Sequence, residues 1–176
     1  MTLAAVQRPI ADPDLGSRFK EALRGVASTV HIITASDGVR RHGMTATAVM
    51  SVTMDPPALV ICLNKSTLLH DILCCARSFC VNVLDETQES LSTAFSGGVP
   101  PAERFSRGSW CFDEGGIGYL EDAQSSIFCE KVAAMPYGTH SLFIGEVRDV
   151  RFGVSQTPLL YHNASYCTSL PRMRAD

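Results

Sequence analysis

The 176-residue chain has no long hydrophobic run, no excess of basic charge and no Cys-x-x-Cys pair, and each absence closes off a class of protein. Apolar stretches such as Ala58 to Leu63 fall far short of the ~20 residues that cross a bilayer as a helix. The segment from Met1 to Arg8 lacks a basic region followed by an apolar one, so no secretory leader is expected. A net charge of −3, with arginines scattered apart from Arg40-Arg41 and the terminal Arg172 and Arg174, offers no footprint for a nucleic acid. The seven cysteines (Cys62, Cys74, Cys75, Cys80, Cys111, Cys129 and Cys167) are odd in number and sit mostly inside apolar runs. That is the pattern of buried free thiols, not of a zinc site or a disulfide framework. No Gly-x-Gly-x-x-Gly follows a strand and no phosphate-binding lysine accompanies Gly97-Gly98 or Gly115-Gly116, so a Rossmann unit and a P-loop are both excluded. The chain reads as a soluble cytoplasmic protein, 45% hydrophobic and 19% charged, with the length of one domain and enough residues for its own core.

Residues 1–16, with Pro9, Pro13 and Gly16, read as an arm, 17–170 as the domain and 171–176 as a tail. Ser17 is the expected N-cap of a first helix whose apolar stripe, Phe19, Leu23, Val26 and Ala27, should pack on a sheet. The β-branched run Thr29 to Thr34 predicts a strand, with Ser36-Asp37-Gly38 as the turn into the next. Further along, the pattern predicts a helix over 67–77, a strand from Phe79 to Leu84 and a helix over 86–95. An irregular loop from Ser96 to Gly108 follows, then long strands over 125–134 and 139–151 and short ones near Leu159 and Tyr166. Strands joined by short turns pair antiparallel, and closing such a sheet removes its exposed edges, so a small barrel with flanking helices is expected.

The stretch Gly43 to Met54 alternates small or hydroxylated residues where a buried strand would carry bulky ones. Read as one strand, it puts Thr45, Thr47, Ser51 and Thr53 on one face and Ala46, Ala48, Met50, Val52 and Met54 on the other. Asp55-Pro56-Pro57 then breaks the ladder before the strand Ala58 to Leu63 and the polar loop Asn64-Lys65-Ser66-Thr67. A hydroxyl-rich strand beside a polar loop has room for a planar, phosphorylated ligand, although threonine is also at home on any solvated sheet face.

Taken in order, "RRHGMTATAVMSVTMDPPALVICLNKSTLLHDIL", "FCVNVLDETQESLSTAFSG", "ERF", "GTHSLFIGEV" and "PLLYHNASY" resemble the flavin reductase-like family, whose fold is the FMN-binding split barrel. The nearest likeness is to the small reductase components of two-component flavin monooxygenases, and it runs from Phe19 to Tyr166. The resemblance implies a mostly antiparallel split β-barrel with flanking helices and an NAD(P)H:flavin oxidoreductase activity. Its cofactors would be FMN, with FAD the alternative, and NADH, with NADPH the alternative; the protein would be a homodimer with a flavin-dependent monooxygenase as partner. It places Met44, Thr45, Ala46, Thr47, Ala48 and Ser51 at the flavin ring, and Asn64, Lys65, Ser66 and Arg104 near its phosphate. His70 falls in the same cofactor set, though a histidine on a helix also reads as structural, as do His31 and His162. His140 would orient the nicotinamide, in a segment commonly Gly-Asp-His in the family and Gly138-Thr139-His140 here. Two other activities fit the same scaffold: reduction of a small acceptor such as a cobalt corrinoid by a retained flavin, and flavin binding without catalysis.

Overall fold

β-branched and apolar runs draw much of the chain into strands. The computed structural model describes residues 12–155 and 157–170, so most of the predicted arm and the whole predicted tail lie outside the described residues. The strands are β1 (Ser28–Thr29), β2 (His31–Ser36), β3 (Arg41–Ala46), β4 (Val49–Met54), β5 (Pro57–Asn64) and β6 (Ser78–Val83). After them come β7 (Trp110–Phe112), β8 (Gly118–Leu120), β9 (Ser125–Tyr137), β10 (His140–Phe152), β11 (Leu160–His162) and β12 (Ser165–Cys167). Three α-helices accompany them: α1 (Leu15–Arg24), α2 (Leu68–Cys75) and α3 (Glu89–Thr93). Among the described residues no helix is long and apolar enough to cross a membrane.

One seven-stranded antiparallel sheet, in the order β3-β2-β6-β9-β10-β5-β4, forms the body. Its two edges, β3 and β4, are consecutive in sequence and joined only by Thr47 and Ala48. The sheet therefore curls until its edges meet at a two-residue corner without pairing there, which is a split barrel. Inside it, Ile33, Ile61, Leu63, Phe79 and Phe143 pack against Leu69, Ile72 and Leu73 of α2. A Cβ at Gly145 would run into the Phe79 ring and Cys129, so β10 can pass this aromatic only as glycine. A second cluster, Val30, Ile32, Leu84, Leu91 and Phe95, lies under α3.

Several expectations need correction. Helix α1 begins at Leu15 after Asp14, not at Ser17, and none of its residues is buried: Phe19 is 63% and Leu23 51% exposed. The two clusters are filled by α2 and α3, which leaves the α1 stripe outside the core. Only Cys80 and Cys129 are buried; Cys74 and Cys75 end α2 on its solvent side, and Cys167 is exposed on β12. The irregular loop contains a short 3-10 helix, Pro101–Ser106, and the β7–β8 hairpin after it was not foreseen, because three-residue strands are too short to show a period. The stretch from Gly43 to Met54 is two strands at opposite edges of the sheet. The corner resets the alternation, so Thr45 and Ser51 do not share a face.

Candidate active site

The corner between β3 and β4 is where backbone is left open. Val49 N–H donates to the Thr47 carbonyl at 2.9 Å and Cys62 N–H to the Ala48 carbonyl at 3.0 Å. The N–H groups of Thr47 and Ala48 find no acceptor among the described residues, and both residues are exposed. Two adjacent unpaired donors flanked by small side chains suit a planar heterocycle with acceptors along one edge.

Beside the corner lies a cavity of about 270 Å³ lined by Val30, Thr45, Ala46, Thr47, Ser96, Tyr161 and Tyr166. The Thr45 hydroxyl is not free for a ligand, since it donates to the Ser92 carbonyl at 2.6 Å. Ser92 Oγ in turn lies 2.9 Å from Tyr166 Oη, and the Tyr166 ring meets Tyr161 edge-on at 5.3 Å. Sequence reasoning missed these tyrosines as site residues. They belong to "PLLYHNASY", but nothing local shows that β12 folds back over β3. Thr47 and Tyr161 also line a second cavity of about 330 Å³ toward α1.

On the other side of the corner, pairing brings three predicted residues together. Ala48 is bonded to Cys62, two residues before Asn64, and Asn64 pairs with His140. Lys65 N–H donates to the Thr139 carbonyl at 2.9 Å and its Nζ to the Gly138 carbonyl at 2.8 Å, which ties the loop to the β9–β10 turn. The Asn64 side chain is spent on its own loop, accepting from Ser66 N and Ser66 Oγ at 3.0 Å each. Thr67 caps α2 by accepting from His70 N–H at 3.3 Å. His140 is half-buried with Nδ1 2.9 Å from Thr139 Oγ1, so a hydroxyl holds the ring from the position where a carboxylate was expected.

The remaining predicted residues are elsewhere. Met44 packs toward the barrel core, and Ser51 is exposed part-way down β4 outside both cavities. His70 is buried edge-on to Phe143, with Nε2 2.9 Å from Ser141 Oγ; it positions the start of β10 from behind and does not face the corner. Arg104 is 8% exposed and donates to the Gly43 carbonyl at 2.8 Å, with His42 Nε2 at 3.3 Å. Burial, then this cation, push the His42 imidazole down to about 4. A Cβ at Gly43 would lie 2.5 Å from the Phe95 ring, so the strand is pressed tight against the core at the point where Arg104 holds it. Arg104 braces β3 from within and is not placed to meet a phosphate.

The residues present fit a flavin: paired amide donors at the corner, a tyrosine-walled cavity beside them, and a histidine and a lysine loop across it. Among the described residues no three His, Cys, Asp or Glu side chains converge as a metal cluster would require. The chain is 48% identical over 92% of both sequences to the reductase component of an FADH2-dependent resorcinol hydroxylase from Rhizobium sp. strain MTP-10005. It is 36% identical to the NADH-dependent FMN reductase RutF of Agrobacterium fabrum, over 84% of this chain and 85% of that one. The structure of the flavin reductase PheA2 superposes with a TM-score of 0.77 at 30% identity, covering 92% of this chain and all of that one. Residues 23–169 match the family model described as the flavin reductase like domain, and with that match the chain belongs to the flavin reductase family.

Proposed function

We propose that the protein is an NADH-dependent flavin reductase that supplies reduced flavin, FAD in the first place, to a separate hydroxylase of small aromatic substrates, in the cytoplasm where NADH is available. The 48% identity along nearly the whole length of a reductase component carries this reading, and the unpaired amides at the Thr47-Ala48 corner supply its chemistry. When both are bound, the dihydronicotinamide gives a hydride to the flavin, leaving oxidised nicotinamide and a reduced ring that takes up one proton. The protein's part is orientation. Thr47 and Ala48 N–H groups hold the edge of the ring, and the tyrosine wall excludes water from one face. His140, fixed by Thr139, directs the nicotinamide toward the other. No cysteine or histidine lines the cavity beside the corner to tether the ring, which suits a flavin that leaves after turnover.

The reading includes a homodimer. Leu15 and Phe19 on α1, Met50 and Met54 on β4, and Met135 and Tyr137 on β9 are each more than half exposed. So many large apolar side chains on one small protein need a cover, and a second copy provides it while enclosing a shallow cleft. The test of the whole reading is NADH oxidation by purified protein: turnover is expected only with added flavin, and protein indifferent to FAD and FMN alike would overturn it.

A further inference from the structure

The geometry points to a binding site for the adenosine diphosphate half of a dinucleotide between the end of α1 and the β11–β12 turn. The inference rests on the flavin reductase reading and extends it to a part of the molecule that reading does not use. The cavity there measures about 330 Å³, in the range of small-ligand sites. Its walls are of two kinds. Leu23, Val26 and Tyr161 offer apolar surface wide enough for a purine, while Lys20 and Arg24, one helical turn apart, bring two cations to the same rim. Neither cation forms an ion pair among the described residues, so both are available to a pyrophosphate.

The slot is built in advance. Asn163 N–H donates to the Arg24 carbonyl at 2.9 Å, which ties the turn to the helix end. Asn163 and Ala164 hold φ of 49° and 61°, a left-handed pair that alanine adopts only under strain. A residue without a long side chain at Ala164 keeps that wall clear, and His162 adds an imidazole to the lining. The slot adjoins the cavity at the corner, since Thr47 and Tyr161 line both. A ring held at the corner and an adenine nucleotide between Leu23 and Tyr161 are then the two ends of one ligand passing over Thr47.

FAD and NADH both carry an adenosine diphosphate, and the experiment separates them. The variant K20Q/R24Q changes only exposed side chains. Val26→Trp fills the slot without touching a charge. Steady-state turnover is measured with FAD, FMN and riboflavin as acceptors, and with NADH and reduced nicotinamide mononucleotide as donors. If the slot takes the flavin's adenosine diphosphate, both variants raise the Michaelis constant for FAD about tenfold and leave FMN and riboflavin unchanged. If it takes the nicotinamide's, the constant for NADH rises and that for the mononucleotide does not. In either case ADP competes with the affected ligand in the wild type and loses potency in the variants. Unchanged constants for every ligand in both variants, with ADP inert, overturn the inference and leave the reductase reading standing. Wild-type protein idle with all donor and acceptor pairs fails the reductase reading itself, and the assignment falls with it.

Discussion

His140 is the residue on which the chemistry and the fold are most easily separated. It starts β10, pairs with Asn64 and is held through Nδ1 by Thr139; under the proposed reading its loss would free the nicotinamide and not the flavin. His140→Ala is expected to slow hydride transfer by about a hundredfold, the cost of an ångström of misplacement, while FAD affinity changes little. Rapid-mixing absorbance on a variant with a wild-type melting curve checks this, and an unaltered rate removes His140 from the site. Two other histidines report on folding. Both have an ordinary value of 6.5; burial pushes His31 down to about 4, and burial and then the Arg104 cation do the same to His42. In the window between those values the unfolded chain binds protons that the folded chain refuses, so stability falls as pH falls from about 6.5 toward about 4. Urea midpoints should drop over that window and His42→Gln should flatten the slope; a wild-type midpoint constant with pH contradicts the burial of both rings. Which residues mattered was only partly legible. Thr47, Ala48 and His140 were singled out through the family resemblance, whereas Arg104 could not be told from a ligand until its guanidinium was seen bonded to the Gly43 carbonyl.

The elements with a strong period were the ones the sequence announced: β2, β5, β6, β9 and β10 are β-branched or apolar runs, and α2 carries a continuous apolar side. Helix α1 was announced as well, but its stripe was expected to meet the sheet of its own chain. Periodicity says that a face wants cover and is silent on who provides it. If a second copy does, Phe19→Asp should convert a dimer seen by light scattering into a monomer while the barrel melts at nearly the wild-type temperature, because none of the α1 residues is buried in its own chain. A variant that stays dimeric moves the interface to the Met50 and Met135 face alone. The break at Thr47-Ala48 was illegible for a different reason. A corner of two residues has no pattern of its own, and the fact that β3 and β4 end at opposite edges is decided by the β2–β6, β6–β9 and β10–β5 pairings between strands far apart in the chain.

The body of the molecule is one sheet whose first and last members in pairing order are neighbours in sequence, with the β10–β5 and β6–β9 ladders between them. In the proposed site a bound flavin would hold that meeting point from both sides, through the corner amides and the tyrosines of β11 and β12. Ligand should therefore stabilise the entire barrel by mass action, and the melting temperature should rise with the logarithm of FAD concentration once binding saturates. The corner also carries a consequence in time. Local hairpins such as β2–β3, β4–β5 and β9–β10 close cheaply and early, whereas the corner takes its shape only when β6 has found β2 and β9 and when β10 has found β5, pairings between distant parts of the chain. Competence to bind should be the last property a refolding chain regains. On dilution from urea, the quenching of flavin fluorescence would lag behind the recovery of strand signal, and a cell making this protein would carry, for that interval, barrels that are built but cannot yet accept a cofactor.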